Sequence, residues 1–348
     1  MPPLATVSGA LDPALVRGAT SAGDHLIGAL PATPGERATD VYFFEAPLTL
    51  ERLGDAMLGR ANREDATLTP DTAAAELEDF AEAGGVLAVE LTPLAAGADL
   101  AALAGVEAAS GVRIVASAHA GEGPLALRLG PGRAGVIVLG PAAEPAAREE
   151  ALGLAARGVP VMLDAAWLGG AETSPGPVAG AGDPVHDASA AAGGAGRGAG
   201  AAAVAPAPLG ALHELLDTAE AAGVPADRLA VLGARSLAHR PDALSELAAR
   251  GVYLHFGSLG RIPSVYTEVS DHDVAVSLAA LTEAGHGERL LLAAGLDRRH
   301  ALRAHGGHGL GFLPRQFLPY LGFMGIGADA AGVLASDNLV RFLDWSRP

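Results

Sequence analysis

Cysteine is missing from this 348-residue chain, which excludes disulfides, thiolate zinc sites and cysteine nucleophiles. Lysine is missing too, since all 23 basic residues are arginine. That removes Schiff-base chemistry, the P-loop lysine and any lysine-derived metal ligand. Positive charge is short overall: 40 acidic residues give a net charge of −17 at pH 7, which argues against nucleic acid or an anionic membrane as partner. Long apolar runs are also wanting, because the most apolar later stretches are broken by Arg197, Arg315 or Asp329, and no membrane span is expected. Met1 to Ala10 lacks the basic start and apolar core of a signal peptide. A cytoplasmic protein is the expectation. No Gly-x-Ser-x-Gly, His-Glu-x-x-His or Walker pattern occurs. Gly130, Gly132 and Gly135 have dinucleotide spacing but precede a strand instead of opening a helix.

What the chain has is hydrophobic content, half of all residues, and a repeating rhythm. Arg228 to Gly233 is a short apolar run ending in glycine, Pro241 to Arg250 carries Leu244, Leu247 and Ala248 at helical spacing, and Val252 to Gly257 is a second apolar run. Strand, helix and strand with short connections make a βαβ unit, which builds parallel sheets with helices outside. The rhythm recurs. Strands are expected at Leu15–Ser21, Val86–Leu91, Val112–Ala116, Gly135–Leu139, Val159–Leu163 and Arg289–Ala294, with a short outer strand at Val41–Glu45. Helices are expected from Pro47 with Thr49 as cap, over Thr69–Ala83, Asp99–Ala109, Glu144–Arg157 and Leu209–Ala222, and from an Asp271 cap to Ala284, with closing helices after Phe312.

The sum is an α/β protein, a single (β/α)₈ barrel domain spanning 1–348, because such a barrel needs about 250 residues. The interval Ser117–Ala134 is Gly- and Pro-rich and holds at most a turn of helix, so the crossover between the third and fourth strands is short. Gly169–Pro208 is a low-complexity Ala/Gly/Pro segment after the fifth strand, expected to be a disordered, flexible insert.

Several stretches follow one another as they do in one family. Pro47-Leu-Thr-Leu-Glu51, Ala61-Asn-Arg63, Glu90-Leu-Thr-Pro93, Gly158-Val-Pro-Val161, Arg228 to Gly257, Arg298-Arg299 through Arg303-Ala-His-Gly-Gly-His-Gly309, and Ser336-Asp-Asn338 give a chain that resembles phosphotriesterase-like proteins. The resemblance implies an amidohydrolase-type barrel that hydrolyses esters, lactones or organophosphates. It also implies two divalent metals, usually zinc, sharing a hydroxide whose pKa they lower. Its ligands would be a His-x-His after the first strand, a carboxylated lysine or glutamate on the fourth, histidines on the fifth and sixth, and an aspartate on the eighth.

Those positions are mostly emptied here. Gly23 stands for the first histidine and only His25 survives, the fourth-strand bridge falls on Val138 or Leu139, and Asp164 replaces the fifth-strand histidine. Ala234 replaces the sixth-strand histidine, and the eighth-strand aspartate falls on Gly295 with Asp297 two residues later.

Three readings follow. The first is a family barrel without its binuclear centre, acting as a binding scaffold, with His25 a relic bonded to its surroundings. The second is a remodelled, mononuclear hydrolase with His25 and Asp164 on the metal, His119 and His255 being further donors at strand ends. The third is metal-independent binding of an anionic metabolite by Arg298, Arg299 and Arg303, since loops seven and eight of barrels often hold phosphate. His255 and Asp297 are the catalytic candidates, and Trp167 either lines a pocket or packs beneath the insert. The expected partners are a small ester, lactone or anionic metabolite and no nucleic acid or membrane, and a homodimer stays open.

Overall fold

The computed structural model describes residues 4–30, 41–168, 209–264 and 267–345, apart from the side chain of Trp167. The insert 169–208 and the question of what Trp167 touches therefore lie outside the described residues. Eight parallel strands form one sheet: β1 (Ala19–Asp24), β2 (Gly85–Glu90), β3 (Arg113–His119), β4 (Ala134–Leu139), β5 (Val161–Leu163), β6 (Leu229–Val231), β7 (Tyr253–Phe256) and β8 (Leu290–Leu292). Each pairs with its sequence neighbours in the order β8-β7-β6-β5-β4-β3-β2-β1, as right-handed βαβ crossovers dictate.

Between β1 and β8 the ring is joined without a regular ladder. The backbone amide of Ala294 donates to Ser21 Oγ (3.2 Å), that of Leu296 to Asp24 Oδ1 (3.1 Å), and that of His25 to the Leu296 carbonyl (2.6 Å). Two polar side chains thus take the place of backbone acceptors at the seam.

Strand alternation sorts the core into two layers. Leu87, Val89, Val115, Val136, Val138, Met162, Ala230, Tyr253 and Leu291 fill the barrel interior. Ile114, Ile137, Leu139, Leu163, Val231, Leu254, Phe256 and Leu292 face the helices. Those helices are α1 (Val41–Glu45), α2 (Leu50–Met57), α3 (Pro70–Glu82), α4 (Leu100–Ser110), α5 (Leu125–Arg128), α6 (Pro145–Ala155), α7 (Gly210–Ala221), α8 (Pro241–Ala249) and α9 (Asp271–Glu283). The chain closes through α10 (Leu318–Phe323), α11 (Ala328–Gly332) and α12 (Asn338–Leu343), interrupted by π turns at Leu313–Phe317 and Val333–Asp337. A hairpin of Leu4–Thr6 and Gly9–Leu11 and helix α12 plug the amino-terminal end of the barrel, where Leu4, Leu11, Phe342 and Leu343 join the interior layer.

Three local expectations change. Val41–Glu45 is a turn of helix, not a strand, with only Phe43 buried, against Leu48 and Ala56. The first strand begins at Ala19, because Leu15 sits in an exposed 3₁₀ turn. Helix α9 is capped by Ser270, whose Oγ accepts from the Asp273 amide (3.2 Å) while Asp273 returns the bond to the Ser270 amide. Asp271 is freed for another task, described below. The short third crossover holds as expected, with only the four-residue α5 in it.

Candidate functional site at the barrel mouth

The mouth lies at the carboxyl ends of the strands, where barrel loops carry chemistry. Its eighth-strand corner is built on charge. Asp297 is half-buried and its Oδ2 pairs with Arg261 (2.8 Å), which also donates to the Gly295 carbonyl (3.3 Å). Burial pushes the Asp297 carboxyl up, but Arg261 and Arg298 outweigh it and hold the group at about 2. Its Oδ1 has no hydrogen-bond partner among the described residues. Arg298, 8% exposed, donates to the Asp297 carbonyl (3.1 Å).

Arg261 is placed by a relay from the neighbouring strands. Arg235 follows β6, donates to the Ser258 carbonyl (3.0 Å) and pairs with Asp271 (2.7 Å). Asp271 in turn accepts from the Gly260 amide (2.9 Å). Gly260 adopts φ +83, which is cheap for glycine alone, and a Cβ there would meet the Phe312 ring at 2.6 Å.

The histidines ring the same mouth without converging. His25 Nδ1 lies 3.1 Å from Thr92 Oγ, and burial holds its imidazole neutral down to about 4. His119 Nε2 lies 2.9 Å from the Leu91 carbonyl, with burial again lowering its pKa. His255 is 5% exposed and alternates inward between Leu254 and Phe256. Among the described residues neither of its ring nitrogens has a hydrogen-bond partner, and burial lowers it to about 4. Asp164 Oδ1 accepts from the Ala166 amide (2.8 Å), closing its own loop.

Among the described residues no three His, Asp or Glu side chains are grouped so as to hold a cation. The emptied positions are also closed. A Cβ at Gly23 would stand 2.8 Å from Leu91 Cδ1 and 3.0 Å from His255 Nε2, so His255 fills the space of the family's first histidine. At Gly295, φ is +65 and a Cβ would lie 2.4 Å from the Ser258 amide nitrogen, so an aspartate does not fit there. On β4 it is Val138 that faces the interior, and Leu139 faces the helices. The donor set therefore does not fit a binuclear centre.

Above this corner is a cavity of about 330 Å³ between the α1–α2 segment and the loops after β7 and β8. Among the described residues four arginines line it, Arg60, Arg63, Arg261 and Arg298, with one acid, Asp65, which is paired with His300 (2.9 Å). Arg60 stacks its guanidinium on Phe43 (4.1 Å) and pairs with Asp55 (2.8 Å). Of the loop-eight arginines only Arg298 lines the cavity. Arg299 pairs with Glu64 (2.5 Å) and Arg303 with Asp79 (2.9 Å), so both tie the loop to its neighbours. Sequence reasoning missed Arg60, Arg63 and Arg261 as site residues. In a chain whose cations are all arginine, Arg261 just beyond the seventh strand was the available signal.

An eight-stranded parallel barrel with its polar groups gathered at the strand carboxyl ends is of the (β/α)₈ class. The chain belongs to the phosphotriesterase family, whose model matches residues 152–343. No curated protein matches it in sequence. It is similar in structure to a resiniferatoxin-binding protein from Rhodobacter sphaeroides (TM-score 0.74, 22% identity, covering 98% of this chain and 95% of the other). A lactonase from Listeria monocytogenes is also similar (TM-score 0.65, 16% identity, 99% and 100% covered). So is the Escherichia coli phosphotriesterase homology protein, solved with phosphate in its active site (TM-score 0.62, 19% identity, 96% and 100% covered). At these identities the likeness is one of fold.

Proposed function

We propose that this protein is a binding member of the phosphotriesterase family that has given up binuclear metal hydrolysis. It takes at the barrel mouth a small molecule with an apolar body and an anionic or strongly hydrogen-bond-accepting head. The observation that carries this reading is the cationic lining of the cavity: among the described residues Arg60, Arg63, Arg261 and Arg298 line it beside the Asp297 corner, in a chain of net charge −17. Guanidinium groups suit planar oxyanions. The likeness to a resiniferatoxin-binding protein and to a barrel holding phosphate supports the same reading. Nothing favours the mononuclear alternative, since Asp164 is spent on its own loop and His25 on Thr92.

Calorimetry and thermal melting with phenyl phosphate test it. Binding is expected in metal-free buffer, weakened tenfold or more by Arg298→Gln. Protein purified with added zinc is expected to retain no stoichiometric metal and to turn over neither esters, lactones nor paraoxon. One or two retained zinc ions, with hydrolysis that disappears on chelation, would overturn the proposal.

A further inference from the structure

The outer wall of the barrel has a gap of its own. Every long crossover lays a helix against the sheet, α3 and α9 with 13 residues and α4 and α6 with 11. Between β3 and β4 only the four residues of α5 stand. Beside that stub a cavity of about 350 Å³ opens onto the outward face of the sheet, with Ala116 and Ala134 among its lining residues. This is at the lower end of small-ligand sites.

Leucines furnish its walls: Leu103 is buried, while Leu94, Leu100 and Leu127 are 49%, 38% and 70% exposed. Together they give the cavity a mainly apolar wall, as small-molecule sites have. The charged residues of the lining are in different states. Glu90 is 1% exposed, and its oxygens accept from the Leu26 and Thr92 amides. Arg128 pairs with Glu122 (3.3 Å). Arg133 donates to the Leu127 carbonyl (2.7 Å) and has no carboxylate partner among the described residues. In a chain with 40 acidic residues, an arginine without a carboxylate at the rim of a leucine-lined cavity is a cue for an external anion.

We propose that the gap left by the shortened third crossover is a second binding site, separate from the mouth, for a small soluble amphiphilic anion of the medium-chain carboxylate class. Its chain lies among Leu94, Leu100, Leu103 and Leu127, and its head group meets Arg133. The chain length is set by the cavity and the sign of the head group by Arg133.

The absence of cysteine gives a clean reporter. Leu127→Cys in the full chain, labelled with an environment-sensitive fluorophore, places a probe at the rim without disturbing the core. Octanoate is expected to shift its emission saturably, octylammonium and acetate are expected not to, and adding Arg133→Gln should weaken octanoate about fivefold. In unlabelled protein, Arg298→Gln should leave the octanoate-induced rise in melting temperature intact while weakening phenyl phosphate binding tenfold or more, which separates the two sites. No emission change at millimolar octanoate, an equal response to octylammonium, or undiminished binding after Arg133→Gln would each overturn the proposal.

Discussion

At the floor of the barrel Arg228 is wholly buried, and its guanidinium donates to the carbonyls of Asp344 (2.7 Å), Gly158 (3.3 Å) and Arg341 (3.5 Å). Asn338 donates to the Gly287 and Leu290 carbonyls, and the Trp345 indole to Gly135. At the mouth His255 is almost as buried, yet among the described residues both its ring nitrogens lack hydrogen-bond partners, as does Asp297 Oδ1, whereas on Arg228 only Nε does, and that atom stands 3.4 Å from Asp227 Oδ1. A buried polar group without a partner costs free energy that a partnered one does not. The floor spends its polar side chains on fastening the carboxyl-terminal helix under the strands. The mouth keeps some of its polar groups open, as a binding end does.

The sharpest way to break that contrast is at the floor. Arg228→Met should lower stability by about 3 kcal/mol, because it strands three carbonyls and the neighbouring Asp227. Urea unfolding reads this. Phenyl phosphate affinity per folded molecule should stay unchanged, and an equal loss of affinity would mean that the two ends are not separable.

Next in size is the pH response near the mouth. Glu90 has its carboxyl raised by burial to about 8 from the usual 4.5, so the folded state holds a proton the unfolded state has lost. Its contribution is complete below about pH 4.5 and disappears as pH rises through 8. Asp24, raised by burial to about 6, acts in the same direction at lower pH. His25 and His255, lowered by burial to about 4, act oppositely between pH 6.5 and 4, where their unfolded forms take up protons first. Above pH 6.5 Glu90 dominates. Stability should fall by about 2 kcal/mol from pH 6.5 to 8.5, one and a half pH units at ~1.4 kcal/mol each, and Glu90→Gln should flatten that slope. Urea midpoints at the two pH values check it, and a slope that survives the substitution would refute the assignment.

How far this contrast was legible in the sequence depended on the kind of signal. Strand periods and the glycines that stop helices are local, and they gave the barrel, the order of its strands and the short third crossover. That Gly23, Val138, Ala234 and Gly295 carry no donor atom was legible by position. The arginine-lined corner was not. Arg261 lies 36 residues before Asp297 in the numbering, and only the packing of the loops after β7 and β8 brings the pair to 2.8 Å. Arg299 and Arg303 looked like anion ligands because they flank Arg298, whereas Glu64 and Asp79, more than 200 residues away in sequence, hold them. Val41–Glu45 read as a strand on residue type, whereas burying Phe43 alone against Leu48 and Ala56 needs only a turn of helix.

The smallest expected effect is the most discriminating one. His255 presses against the space over Gly23 with two unpartnered nitrogens, held neutral by burial. Were its role only to pack, leucine would do as well or better, because the cost of burying two unpaired polar atoms would vanish. His255→Leu should then be neutral or raise stability by about 1 kcal/mol. If the mouth keeps those nitrogens open for a ligand, the same variant should weaken phenyl phosphate binding while unfolding at equal or higher urea. Stability and affinity moving in opposite directions is the pattern that separates a binding group from a filler of the space that a metal-ligand side chain at position 23 would need. A variant that loses stability with unchanged affinity would make His255 part of the core and move the boundary between mouth and floor one layer higher.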